Sequence, residues 1–113
     1  MKKIFLILAS LFLSARIVYA SPPTSIDVTY DSATKEITAI IYHQSYDIKK
    51  HYINVVRMMI NGVPVNTERF HWQHSAREQT AVFGIPSVKP GDVITIQAFC
   101  NKGGERSQDV KIK

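Results

Sequence analysis

From Ile26 to Ile112 the apolar residues recur at a period close to two. Gly, Pro, Asn and Asp interrupt them about every 8–12 residues. A helix buries positions three and four apart, whereas alternation puts every second side chain on one face of a strand. Ile26, Val28 and Tyr30 alternate with Asp27 and Thr29, which predicts a half-buried strand. The segment 37–42 is β-branched and apolar on both sides, as a central strand is. Strands are further predicted over 52–60, 63–72, 80–85, 93–100 and 107–112. Between the third and fourth, Asn61-Gly62 predicts a type I′ turn, because both residues tolerate the positive φ that it requires. Pro64 cannot donate to a ladder, so 63–72 is expected at a sheet edge or with a bulge. The expected fold is all-β: an antiparallel immunoglobulin-like Greek-key sandwich of about seven strands, with a small barrel as the alternative.

The chain has 113 residues and a formal net charge of +5, but the charge is unevenly placed. Lys2, Lys3 and Arg16 stand in the first twenty residues with no acid, so a little under half of the excess lies in the remainder. Those twenty residues read as a secretory signal peptide. Lys2 and Lys3 form the positive start, 4–13 is nearly continuous apolar sequence, and Val18-Tyr19-Ala20 sets small residues before a cleavage point at Ser21. The apolar run is shorter than the roughly 20 residues of a membrane span, and Arg16 interrupts it. The expected division is 1–20 signal peptide and 21–113 one domain, periplasmic or secreted, with no membrane span after cleavage. The basic residues Lys102, Arg106, Lys111 and Lys113 are interspersed with Glu105 and Asp109 and lack an aromatic platform, so no nucleic-acid partner is expected. No phosphate loop, serine triad or paired-carboxylate signature occurs.

Chemistry concentrates in four histidines and one cysteine. A single cysteine excludes an internal disulfide, yet it must be accounted for in an oxidising compartment. His43 ends one predicted strand, His51 opens the next and Cys100 ends a later one, so a Greek key can bring all three to one end of the sandwich. Two imidazoles and a thiolate suit a transition metal. The same spacing is equally that of two solvated loop histidines and a small buried thiol.

The segment 23–113 resembles the iron domain of the desulfoferrodoxin and superoxide-reductase family. The pieces that carry the likeness are Tyr42-His43, His51-Tyr52-Ile53, Ile60-Asn61-Gly62-Val63, Val88-Lys89-Pro90-Gly91-Asp92 and Gln97-Ala98-Phe99-Cys100-Asn101, in that order. The resemblance implies a seven-stranded sandwich with a mononuclear iron held by four imidazoles in a plane and one axial thiolate. The position opposite the thiolate is open to superoxide. By residue matching, His43 and His51 would be equatorial ligands and Cys100 the axial one; superoxide or a small redox partner would be the reactant.

Two departures from that pattern stand in the sequence. Gly103 occupies the place of the histidine in the family's Cys-Asn-x-His piece, and no histidine lies between Ser21 and Tyr42. A two-residue turn at Asn61-Gly62 makes paired residue numbers sum to 123, which sets Trp72 opposite His51. By alternation His74 would then share a face with His51 and serve as a replacement ligand. Two readings follow. One is an exported metal-binding domain with a degenerate site and a superoxide-reductase-type or electron-transfer role. The other is a non-enzymatic binding or structural module that has lost the metal.

Overall fold

The computed structural model describes residues 21–113; the signal-peptide reading falls on residues 1–20, outside the described residues. Among the described residues there are seven strands: β1 (Ser25–Asp31), β2 (Glu36–Tyr42), β3 (Ile53–Ile60), β4 (Val63–Arg69), β5 (Glu78–Gly84), β6 (Val93–Cys100) and β7 (Glu105–Lys111). They form a three-stranded sheet of order β1-β2-β5 and a four-stranded sheet of order β4-β3-β6-β7. Every pairing is antiparallel. The chain changes sheet after β2, β4 and β5, so this is the expected sandwich and not a barrel.

The alternation read from the sequence is what the two sheets bury. Ile37, Ala39 and Ile41 from β2 and Ala81 and Phe83 from β5 face Val56 and Met58 of β3 and Ile94, Ile96 and Ala98 of β6. All ten are at most 1% exposed. Each larger side chain removed from water in this way contributes about 1.5–3 kcal/mol before the entropy of ordering is counted. In β6 the pattern is strict, with Val93, Thr95, Gln97 and Phe99 on the outer face.

Asn61 (φ 50°) and Gly62 (φ 82°) make the β3–β4 turn in the left-handed region, as the Asn-Gly pair predicts. The Asn61 side chain also reaches the loop before β6: its Nδ2 donates to Asp92 Oδ1 at 3.0 Å and its Oδ1 accepts from Val93 N at 2.9 Å. Pro64 lies on β4, an edge strand, and a bulge follows it. Ile60 pairs with Val63 and Met59 with Pro64, but Met58 pairs with Asn66 and Val55 with Arg69. Val65 is the extra residue. The expectation of a continuous strand to Trp72 is therefore corrected, because β4 ends at Arg69. The pairing sum also changes from 123 to 124 past the bulge, which reverses the facing of everything beyond.

Candidate metal centre

His43 follows β2, His51 precedes β3 and Cys100 ends β6. Their ligand-capable atoms all lie within 4.8 Å of one another. The imidazole rings meet edge to face with centroids 4.7 Å apart. His43 and Cys100 are buried, at 1% and 5% exposure, and His51 is half-buried. Three of the four site residues expected from the sequence thus converge at one end of the sandwich.

The fourth does not. His74 is exposed and borders a separate cavity of about 250 Å³ with Arg69, Phe70, His71, Trp72 and Gln79. The bulge at Val65 is the reason. With a pairing sum of 124, the residue opposite His51 is Gln73, and the ladder that would have carried alternation to His74 has already ended. Trp72, which the sum of 123 set opposite His51, is 59% exposed.

Local sequence explains how each ligand candidate is held. Asp47 Oδ1 accepts from Lys49 N at 3.1 Å, and Asp47 O accepts from Lys50 N and His51 N. This single turn lifts the chain from His43 across to His51. Ser45 Oγ donates to His51 O, and Ser45 N to Ala76 O at 2.8 Å. Asn101 ties the His51 segment to the cysteine. Its Oδ1 accepts from Tyr52 N at 2.9 Å, its Nδ2 donates to Lys50 O at 3.0 Å, and its backbone N–H donates to Tyr52 O at 2.9 Å. The Cys100-Asn101 pair is therefore one cysteine and one clamp. Gly103 (φ 107°) and Gly104 (φ 91°) fold the next turn back, so that Cys100 N donates to Gly104 O at 3.0 Å. The Lys102 amide points at Cys100 Sγ at 3.4 Å.

Gln73, which no motif in the sequence marks, is the organising residue. It is 0% exposed. Its Nε2 donates to His43 O and to Ser75 O, both at 2.8 Å. Its Oε1 accepts from Ile53 N at 3.2 Å and lies 2.7 Å from His43 Nδ1. Two carbonyls on one side and an amide N–H on the other fix the orientation of the side-chain amide. Oε1 is thus an acceptor, and His43 Nδ1 must carry the proton. The other ring nitrogen, Nε2, lies 2.8 Å from the Ser21 carbonyl oxygen, so an ion bound at His43 would have to take that oxygen's place, with Gln73 as the outer group that orients the ring.

Two of the three donor groups are held in their uncharged forms in the metal-free chain. Burial, then the His43 ring and the charge of Lys102, lower the proton affinity of His51 below its ordinary value, so its neutral, ligating form prevails at neutral pH. His51 Nε2 is buried with no hydrogen-bond partner, which is costly for a polar atom unless something fills the place. Burial pushes the Cys100 thiol up, against the opposing pull of the Lys102 amide and charge. Without a metal it is a thiol at neutral pH, and a soft cation would displace the proton. The donor set of two imidazole nitrogens and one sulfur therefore fits a transition metal. On the outer face, a groove of about 370 Å³ lined by Asn54, Val55, Arg57, Arg69 and Phe99 opens beside Cys100.

No protein-family model matches the chain, and no curated protein does. Among solved structures, a hypothetical protein from Pyrococcus horikoshii OT3 is similar at a TM-score of 0.58 and 16% identity, over 91% of this chain and 99% of that one. Two structures of superoxide reductase (neelaredoxin) from Ignicoccus hospitalis align with TM-scores of 0.47 and 0.48 at 13% identity, each over 80% of this chain and 82% of that one. The first of these likenesses is one of fold.

Proposed function

We propose that this chain is an exported, desulfoferrodoxin-like domain that holds one transition-metal ion, iron foremost, through His43, His51 and Cys100. The observation that carries the reading is the gathering of three donor atoms within 4.8 Å, one of them a buried nitrogen without any partner. The residue pieces around His43, His51 and Cys100-Asn101 that resemble the superoxide-reductase family support iron over zinc. Iron held there would supply one-electron chemistry, with the thiolate pushing electron density toward it.

The chain's own residues do the rest. Gln73 holds the Nδ1 proton of His43, which makes Nε2 the nitrogen that would bind an ion once the Ser21 carbonyl gives way. Asn101 keeps the His51 segment and the cysteine at a fixed separation. Lys102 supplies positive charge beside the thiolate. With two imidazoles where the family pattern has four, the role proposed is metal binding with electron transfer or superoxide-reductase-type reduction of a small partner. Export places this chemistry outside the inner membrane.

Anaerobic loading of the purified protein with ferrous iron, followed by metal analysis, tests the reading. One ion per chain is expected, with a visible thiolate charge-transfer band after oxidation, and both are lost in Cys100→Ala. Absence of stoichiometric metal, together with folding indifferent to chelators, would instead favour the metal-free binding module.

A further inference from the structure

The groove of about 370 Å³ on the outer face of the four-stranded sheet has Cys100 among its lining residues, yet holding an ion makes no use of it. Two rows of the ladder build it. Arg69 of β4, Val55 of β3 and Phe99 of β6 stand opposite one another, and in the next row Thr67, Arg57 and Gln97 do. Strand alternation turns all six to the same side. A volume of this size suits a small molecule. Two arginines and no acidic residue are among the residues that line it.

Arg57 is held ready for an anion. Its Nε and Nη2 both donate to Gln97 Oε1, at 3.2 and 2.6 Å, and Gln97 Nε2 donates in turn to Glu105 Oε1 at 3.1 Å. The guanidinium also lies over the Phe99 ring, 5.9 Å from its centroid. A guanidinium carries five N–H groups in one plane, and Gln97 engages only the side edge. The end edge, formed by Nη1 and Nη2, keeps two parallel donors, the geometry that grips a carboxylate with two hydrogen bonds. A second group in the groove lacks a partner. The register of β3 against β6 shifts between Ile53 and Val55, so Asn54 is the extra residue of a bulge, which re-aims its side chain. Asn54 lines the same groove, and its Oδ1 is buried with no hydrogen-bond partner. A buried acceptor left unpaired is costly, and an N–H or O–H entering the groove removes that cost.

We propose that this groove binds a small organic acid: a carboxylate with a hydroxyl or amino group beside it and an apolar body. The carboxylate meets the free edge of Arg57, and Arg69 adds charge from the edge strand. The neighbouring O–H or N–H donates to Asn54 Oδ1, and the apolar body lies against Val55 and Phe99. An inorganic anion matches the site less well, because it leaves the amide oxygen and both apolar walls unmet. The site needs no metal ion, so it stands or falls apart from the metal reading. An acid bound here neighbours Cys100 and so approaches the candidate metal centre from outside the sandwich.

Phenyllactate, titrated into the purified metal-free protein and followed by amide chemical shifts, is the test. A dissociation constant of about 1 mM or tighter is expected, with the shifts confined to the parts of β3, β4 and β6 that line the groove. Phenylpropanamide, which has the same body without the charge or the hydroxyl, should bind about tenfold or more weakly. Arg57→Met, which keeps an apolar stem over Phe99 and removes the fork, should weaken phenyllactate binding by a similar factor. Arg69→Ala, at an exposed edge position, should weaken it about two- to fivefold with the melting temperature unchanged, so the proposal is tested even if Arg57→Met unfolds. Lys113→Ala removes the same charge far along the chain and should bind as the parent does. Equal binding of the amide, equal losses in Arg69→Ala and Lys113→Ala, or shifts centred elsewhere would overturn the proposal. So would no binding at about 10 mM phenyllactate. Because no metal is present, none of these results depends on the outcome of iron loading.

Discussion

Replacing Gln73 tests whether one buried amide organises the site. Gln73 makes four contacts: it donates to His43 O and Ser75 O, and its Oε1 faces Ile53 N and His43 Nδ1. Gln73→Met keeps most of the volume and removes every one of them. A buried group stripped of its partner costs about 1–3 kcal/mol. Four groups in one network relax together and do not add. The expected loss is therefore about 3–5 kcal/mol, in the range seen when a buried network is broken. A domain of this size is stable by about 5–15 kcal/mol, so the substitution removes a large share. With a urea m-value of about 1.5 kcal/mol/M, the unfolding midpoint falls by about 2–3 M with little change in slope. Gln73→Ala adds a cavity and falls further. A Gln73→Met midpoint within about 0.5 M of the parent would show instead that His43 and β3 are held by packing alone.

Two other outcomes follow from local features. Asn61→Ala loses a residue suited to φ 50° and two side-chain hydrogen bonds to the loop before β6; about 1–2 kcal/mol is expected to go, read as a lower melting temperature by calorimetry, whereas Asn61→Gly should retain more stability than the alanine variant. The pH dependence of the metal-free protein follows from His51, whose proton affinity in the folded state is lowered from an ordinary value of 6.5 by burial first. The unfolded chain then takes up that proton at higher pH than the folded one, so this stability is present above pH 6.5 and is lost as pH falls below it. Melting temperatures measured from pH 8 to pH 5 should decline over the acid half of that range, and the decline should be smaller in His51→Phe. An identical decline in that variant would contradict the assignment.

Much of the architecture was legible because its cause is local. Period-two alternation, Asn61-Gly62 and Pro64 each act within a few residues, and six of the seven strands begin and end within two residues of the expected positions. The convergence of His43, His51 and Cys100 was legible for a related reason: all three stand at strand ends, and strand parity brings those ends together. What failed was counting. One extra residue at Val65 changed the pairing sum, moved Gln73 to the place given to Trp72, and left His74 in another cavity. A prolyl edge strand announces that a bulge is allowed but not where the register slips. Gln73 carries no signal of its own, since a buried glutamine and a loop glutamine read alike until the slip is known. The contact between Ser21 and His43 spans 22 positions and depends on where β7 and the turn before it place Arg106 and Gly104 against Pro22 and Pro23, which no local pattern encodes.

The function proposed for this chain rests on one metal ion bound through Cys100 and the two histidines. X-ray absorption at the iron edge of the anaerobically loaded protein addresses it most directly. One sulfur neighbour at about 2.3 Å is expected, with nitrogen and oxygen neighbours near 2.1 Å, and the sulfur shell is lost in Cys100→Ala. A first shell of oxygen and nitrogen alone, unchanged by that substitution, would contradict it.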